Sequence, residues 1–367
     1  MLPVDLVAGA RPNFMKLAPV VRALRSRGNP PFRIVHTGQH YDAGMNDVFF
    51  QELGIPQPDV HLDVGSGSHG AQTARILERY EAHLLSRRPS ATVVFGDVNS
   101  TAACALASVK LGIAAVHVEA GLRSFDRGMP EEINRLVTDA ICDLLLVSDP
   151  SGLAHLKAEG IKDEKVRFIG NVMIDTLMEQ LPVARERSAC KGFGLTPKEF
   201  GLVTLHRPSN VDDPTTLGRI VDLLLELAAR LPLIFPVHPR TRSALDKFGL
   251  TNRIDGGALR CVRALPYLDN LSLLADSAVV LTDSGGIQEE SSVLGVPCLT
   301  LRPNTERPVT VELGTNRVVG NDSEAVRSAF DQALRGDWPK GSPIPGWDGR
   351  AGERTAHELD VFLNART

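Results

Sequence analysis

The stretch HVEAGLRSFDRGMPEEINR, residues 117–135, sets carboxylates at the end of one apolar run and at the start of the next helix. Residues 111–116, LGIAAV, read as a short buried strand, which places Glu119 at its carboxyl end. Pro130 and Glu131 then open an amphipathic helix whose apolar positions are Ile133, Leu136, Val137, Ala140, Ile141 and Leu144. Ligands of open parallel sheets sit in the crevice beyond the carboxyl ends of the strands, and Glu119 and Glu131 would both line it. Asp97, in VVFGDVNST, ends another strand and faces the same crevice. Carboxylates gathered in this way raise one another's pKa, so that one keeps a proton near neutral pH while another accepts one. That is equipment for acid–base catalysis. Glutamates in a first helical turn also have a structural use, since they complement the helix dipole and can pair with Arg135. Glu132 and Arg135 are read in that sense, as securing the helix that aims Glu131, and Arg135 is also counted among the substrate-binding candidates.

The strongest binding signal is LTDSGGIQEESSVLGVPCLTLRPNTERP, residues 281–308. A strand ends at Thr282, Ser284, Gly285 and Gly286 form a tight turn, and a helix begins there, so free backbone N–H groups point toward any anion at the turn. Ser284 could equally be a plain N-cap. Glu290, one turn into the helix, could accept ribose hydroxyls, and the planar fork of Arg307 could clamp phosphate. Together they suggest a nucleotide diphosphate. A second cluster, GARPNFMK at 9–16, puts Arg11 and Lys16 at the mouth of the first strand, where they could neutralise a leaving phosphate. It is not a dinucleotide fingerprint, because G-x-G-x-x-G is absent. Histidines also gather at strand ends: His206 with Arg207 after 201–205, His238 after 233–237, and Gln39 with His40 after 33–37. No D-x-D, HExxH or CxxC spacing supports a metal site.

Elements that could bring such strand ends together run the length of the chain. Short apolar runs alternate with helical patterns, which argues for parallel sheets built from βαβ units. Strands are expected at 4–8, 33–37, 91–95, 113–118, 144–148 and 166–169, with helices over 16–25 and 101–111. The programme restarts with strands at 201–205, 233–237, 260–263, 278–282 and 297–301 and a helix over 214–231. The expected organisation is an N-terminal Rossmann-like domain over 1–170 carrying the acids and a C-terminal Rossmann-like, nucleotide-binding domain over 171–350, with a cleft between them. A helix in 351–367 is expected to dock back on the first domain. At 367 residues and 43% apolar content, the chain is long enough for two cores. A net charge of −4 with scattered Lys and Arg leaves no basic footprint for nucleic acid. No apolar span is long enough for a membrane helix, and the N-terminus lacks a signal sequence. The five cysteines, widely spaced and mostly in apolar runs, read as buried thiols of a cytoplasmic protein.

With these residues in view, the chain resembles the non-hydrolysing UDP-N-acetylglucosamine 2-epimerases of the glycosyltransferase-B superfamily over nearly its whole length. The motifs are GARPNFMKLAPV (9–20), TGQHYD (37–42), GDVNST (96–101), HVEAGLRS with PEEINR, LHRPSN (205–210), PVHPRTR (236–242), and TDSGGIQEE with TERP (282–308). The resemblance implies a two-domain α/β fold and a cofactor-independent reaction at C2 of the sugar. UDP is eliminated across C1 and C2 to give a 2-acetamidoglucal, which is re-protonated at C2 as UDP adds back. By position Asp97, Glu119, Glu131 and His206 match the family's catalytic group. Arg11, Lys16, Ser284, Gly285, Gly286, Glu290 and Arg307 match its UDP contacts. UDP-N-acetylglucosamine and UDP are the implied partners, in a homodimer serving polysaccharide biosynthesis.

The pattern departs from the family's commonest one at three places: HRPSN stands for HRRE, PVHPRTR for PVHLNP, and Val309-Thr310 follow the ERP motif. Some relatives bind a second UDP-N-acetylglucosamine as activator, and the corresponding candidates here are Gln39, His40, Arg207 and His238. HRPSN and HPRTR also occur in relatives acting on UDP-2,3-diacetamido uronic acids, which makes such a sugar the alternative substrate. A glycosyltransferase of the same fold would share the UDP clamp but needs an acceptor groove and usually one base. A hydrolysing epimerase would release free sugar, and a nucleotide-sugar sensor would bind without exchange.

Overall fold

The computed structural model describes residues 2–39, 50, 52–254 and 257–366, with only the backbone of Arg11. The chain divides into two compact units, Met1–Glu179 with Pro345–Thr367, and Gln180–Ile344.

The first unit holds β1 (Val4–Ala8), β2 (Phe32–His36), β3 (Val60–His61), β4 (Ala91–Phe95), β5 (Ala114–Ala120), β6 (Leu144–Val147) and β7 (Val166–Phe168). They form one sheet in the order β3-β2-β1-β4-β5-β6-β7, every pairing parallel. β1, β4 and β5 are buried from end to end, as expected of strands covered on both faces, and so read as near-continuous apolar runs. Asp5 interrupts the first run without an orphaned charge, because Arg33 Nε (2.8 Å) and His83 Nε2 (2.9 Å) meet its carboxylate. The order reverses at β1, so the strand ends of β1 and β4 open the crevice where doubly wound sheets bind ligands.

The second unit repeats the plan with β8 (Gly201–Thr204), β9 (Leu233–Val237), β10 (Leu259–Arg263), β11 (Val279–Thr282), β12 (Cys298–Thr300) and β13 (Asn316–Val318). Their order is β10-β9-β8-β11-β12-β13, again all parallel, with the switch between β8 and β11. The helix Pro214–Ala228 covers one face, burying Leu217, Ile220, Val221, Leu224 and Leu227 at helical spacing against β-strand residues such as Val203 and Phe235.

The division falls within the helix Val172–Arg187, beyond Gly170 and Asn171. After the chain re-enters the first unit, Trp347 Nε1 donates to Ser148 O at 3.0 Å. The helix Ala351–Asn364 then packs on the helix Arg11–Arg27. Asp175 accepts from the N–H groups of Ala351 (3.1 Å) and Gly352 (2.7 Å), two of the donors that a helix start leaves without an intrahelical partner. Burial pushes the Asp175 carboxyl up to about 6 against these two bonds. The helix His69–Ser86 and the short β3 and β13 add to the elements expected from the sequence.

The helix that opens at Pro130 ends at Ile141, and Leu144, expected on its apolar side, instead opens β6. The helix Pro130–Ile141 turns its polar side inward: Glu132, Arg135, Thr138 and Asp139 are buried, while Ile133 and Val137 are 37% and 40% exposed. The apolar stripe follows helical spacing but does not face the core of its own unit, because the inner side is committed to a hydrogen-bonded network of charges. No helix among the described residues is long and apolar enough to cross a membrane.

Candidate functional site

In the first unit the candidate acids meet at the carboxyl ends of β4 and β5. Glu119 sits where the register of β5 against β6 shifts, and its backbone φ is +75°, the left-handed region that a side chain rarely adopts. Such a conformation costs on the order of 1–3 kcal/mol and persists where surrounding contacts over-determine it, commonly at functional sites. The distortion delivers the buried carboxylate onto the Lys16 ammonium, which projects from the helix after β1. Gly96 is what makes room. Its φ is +65°, and a Cβ there would lie 2.6 Å from Lys16 Nζ and 3.7 Å from Glu119 Oε2.

Asp97, the next residue, is locked by Arg135 Nη1 at 2.5 Å. Arg135 is itself buried and reaches Glu132 through Nε (3.0 Å) and Nη2 (2.7 Å). Glu132 also accepts from the backbone N–H groups of Ser124 (2.9 Å) and Phe125 (3.0 Å). Burial alone would raise the Glu132 carboxyl, but the Ser124 N–H and the Arg135 guanidinium outweigh it and hold it below the usual range. Glu132 thus anchors the loop that precedes its helix, and Arg135 joins that anchor to Asp97. Glu131, in the same first turn, is half-buried.

Behind these acids lies a buried group that the sequence did not single out. His117 Nε2 bonds Gly96 O at 2.7 Å, and its Nδ1 meets Asp139 Oδ1 at 2.6 Å. Asp139 Oδ2 accepts from Gly121 N at 3.0 Å and pairs with Arg123 Nη1 at 2.7 Å. Burial pushes the Asp139 carboxyl up, yet His117 and Arg123 together hold it below its ordinary value. Asn13 makes a similar tie on the other side, accepting from Gly9 and Ala10 N–H and donating to Phe95 O at 2.8 Å. Gln39 is buried with its Oε1 on Ser100 N (3.0 Å) and Oγ (2.7 Å). His40 and the side chain of Arg11 lie outside the described residues.

In the second unit the turn after β11 organises a different set of groups. Asp283 is fully buried and accepts from the N–H groups of His206 (3.0 Å) and Arg207 (2.9 Å) and from Asn210 Nδ2 (3.1 Å). His206 Nδ1 lies 3.2 Å from the same carboxylate, which orients the ring and leaves Nε2 as the other functional nitrogen on a side chain 37% exposed. Burial raises the Asp283 carboxyl, and the hydrogen bonds and charge of His206 more than reverse this. The His238 ring lies 5.3 Å from that of His206, and His238 Nδ1 caps its own helix by accepting from Arg240 N at 3.2 Å.

Ser284 is the N-cap residue of the helix Gly285–Leu294, its side chain making no cap bond, so the first-turn N–H groups are not taken by that hydroxyl. The Arg307 guanidinium lies directly against this helix start: a Cβ on Gly285 would stand 2.8 Å from Arg307 Cζ. Arg307 is steadied by Glu289 (2.5 Å) and Glu306 (2.7 Å). Glu306 is also met by Arg302 (2.7 Å) and Arg207 (3.6 Å). Burial opposes its ionisation, but the three guanidiniums drive the carboxyl far below the usual range. Gly286 lies within the first turn, and Glu290 is buried behind it, bonded by Tyr267 OH at 3.1 Å. Burial lifts the Glu290 carboxyl to about 8, the Tyr267 bond working against this and Glu289 adding to it.

Parallel-sheet units with acids at one switch point and a helix start suited to an anion at the other belong to the glycosyltransferase-B fold. The family model described as UDP-N-acetylglucosamine 2-epimerase matches residues 22–360, and the chain belongs to that family, whose members are isomerases. It is 39% identical to the UDP-N-acetylglucosamine 2-epimerase of Methanocaldococcus jannaschii over 366 residues, covering 98% of this chain and 99% of the relative. The crystal structure of that archaeal protein with UDP-GlcNAc and UDP matches with a TM-score of 0.91 over 98% of this chain and 100% of the other. The chain is also 40% identical, over 90% of its length and 93% of the relative, to the UDP-2,3-diacetamido-2,3-dideoxy-D-glucuronate 2-epimerase of Pseudomonas aeruginosa.

Proposed function

We propose that the enzyme interconverts UDP-N-acetylglucosamine and UDP-N-acetylmannosamine by anti-parallel use of its acids: one removes the C2 proton and another returns a proton to the opposite face. In the forward half the C2–H electron pair forms the C1–C2 double bond, and UDP leaves with the electron pair of the broken C1–O bond. The 2-acetamidoglucal then takes a proton at C2 while UDP re-forms the bond at C1. Asp97 and Glu119 handle the C2 protons, and Glu131 assists or orients them. His206, oriented by Asp283, protonates or holds the departing UDP oxygen. The Ser284-Gly285-Gly286 helix start and Arg307 bind the diphosphate, Glu290 the ribose, and Lys16 and Arg11 offset the charge that develops as UDP leaves. Arg135 serves the substrate through Asp97.

The observation that carries this reading is Glu119, held in a left-handed conformation that sets its carboxylate on Lys16 beside an Asp97 fixed by Arg135. A binding module has no need of a strained acid there. Incubation with UDP-N-acetylglucosamine in deuterium oxide, followed by NMR, tests it. The expected result is the manno epimer with solvent deuterium at C2 and no free sugar. An unchanged substrate, or release of N-acetylmannosamine, overturns it in favour of a transferase or a hydrolysing epimerase.

The similarity to the Pseudomonas relative favours a second reading, in which the sugar is a 2,3-diacetamido uronic acid. Competition between the two UDP-sugars for the same C2 exchange decides between them. The exposed Ile133–Val137 stripe fits a homodimer contact, and nucleotide-sugar chemistry fits a cytoplasmic enzyme supplying polysaccharide synthesis.

A further inference from the structure

We infer that His117 and Asp139 form a buried positioning pair that holds two acid–base groups, Glu119 and Asp97, in register; this rests on the acid–base reading of those carboxylates. The argument is one of connectivity. Asp139 touches the β5 segment on both sides of Glu119: His117 before it, and Gly121 N and Arg123 after it. A single carboxylate thereby spans the bulge and fixes the chain at both flanks of the residue whose φ is +75°. Without those anchors the backbone could relax toward the extended conformation of the rest of the strand, which would turn the Glu119 side chain elsewhere.

The other face of the imidazole reaches the second acid. His117 Nε2 is 2.7 Å from Gly96 O, and both ring nitrogens face acceptor oxygens, so each is suited to donate. Gly96 separates the imidazole from Lys16 and Glu119, with its carbonyl bonded to the ring and its Cα facing the ammonium. Asp97 follows directly, so the same ring that steadies the Glu119 bulge steadies the turn presenting Asp97. His117 and Asp139 are both fully buried. They act through the acids without touching the sugar, and their side-chain bonds among the described residues run to the Gly96 and Gly121 backbone, to each other and to Arg123.

Two amide replacements separate the two bonds. Asn carries its amide nitrogen near the place of Nδ1, and Gln near that of Nε2, so His117→Asn can keep the Asp139 bond and His117→Gln the Gly96 bond, while His117→Phe keeps neither. The measurements are kcat, KM, UDP affinity and C2 deuterium exchange, with thermal melting as the control. His117→Phe is expected to lower kcat and exchange together by about a hundredfold, the scale of an ångström-level misplacement of reacting groups. KM and UDP affinity should stay within about threefold, and the amide variants should each recover about tenfold of the loss. Because the pair acts through Glu119 and Asp97, adding His117→Phe to Glu119→Gln should slow the latter by about tenfold, well short of the roughly hundredfold it costs the parent, since only the Asp97 share is left to lose. The proposal is overturned by multiplicative losses in that double variant. It is equally overturned if all three His117 variants melt earlier but keep kcat within threefold. If instead Glu119→Gln alone retains the full rate, the acid–base reading itself falls.

Discussion

The two switch points solve opposite problems. At β1 and β4 the charges are bound to one another: Lys16 with Glu119, Arg135 with Asp97 and Glu132, His117 and Arg123 with Asp139. Their positions are set by strained or tightly tied backbone, as proton transfer requires of groups that must lie within a hydrogen bond of a reacting carbon's substituents. At β8 and β11 the arrangement is open toward a ligand: N–H groups at a helix start, a guanidinium laid over Gly285, an imidazole oriented by Asp283 and more than a third exposed. Acids Glu289 and Glu306 there steady the arginines beside that helix start. On the proposed reading Glu119 sets proton-transfer geometry and Arg307 holds the diphosphate, so substitutions at these two should separate kcat from binding.

The largest separation is expected for Glu119→Gln. It keeps the shape and one hydrogen-bonding oxygen but removes a proton acceptor, and should lower kcat and C2 exchange by about a thousandfold. UDP affinity should stay within about threefold, measured by calorimetry on the same preparation. A comparable loss of UDP binding would mean that the first region also carries affinity and would break the distinction. The converse substitution is Arg307→Lys, which retains the charge but not the planar fork that Glu289 and Glu306 hold. UDP binding should weaken by about thirtyfold, as expected for loss of a bidentate, charge-assisted contact. Exchange at saturating substrate should fall by no more than about threefold.

Much of this division was readable in the residues. Parallel strands are short, largely apolar runs, so a charged or imidazole residue at or just past their carboxyl ends stands out: Asp97 past Phe95, Glu119 near the end of β5, His206 after Leu205. The Ser284-Gly285-Gly286 turn was legible because a helix start after a strand leaves N–H groups to be used. What was not legible depends on partners remote in sequence. His117 looked like a flanking residue because Asp139 lies a strand end and a helix away, and Asp283 and Glu306 are ordinary acids until folding surrounds them with His206 and three arginines. The inward face of Pro130–Ile141 was hidden for a related reason. Spacing states which residues share a side of a helix, and only the buried network shows which side faces in. The helix His69–Ser86 is legible on the same grounds, with buried Ile76, Tyr80 and Leu84 four residues apart and Ser68 as its N-cap.

The smallest predicted effect sharpens the second region's role. Glu290 is buried with its carboxyl raised to about 8 from an ordinary 4.5, so the folded chain keeps a proton that the unfolded chain releases between those values. Stability linked to this group is therefore fully present below pH 4.5 and is lost as pH rises through 8. Ribose hydroxyls donating to Glu290 would favour the charged carboxylate, and binding would then expel the proton. UDP affinity should accordingly rise by about fivefold between pH 6.5 and 8.5 beyond the change due to the nucleotide's own phosphate. Glu290→Gln separates the two, because it leaves the phosphate titration in place and removes the protein's. The variant should show the smaller rise and, at pH 9, a higher melting temperature than the parent. An identical pH dependence in both proteins would remove Glu290 from the ribose and leave the helix start and Arg307 as the nucleotide's contacts.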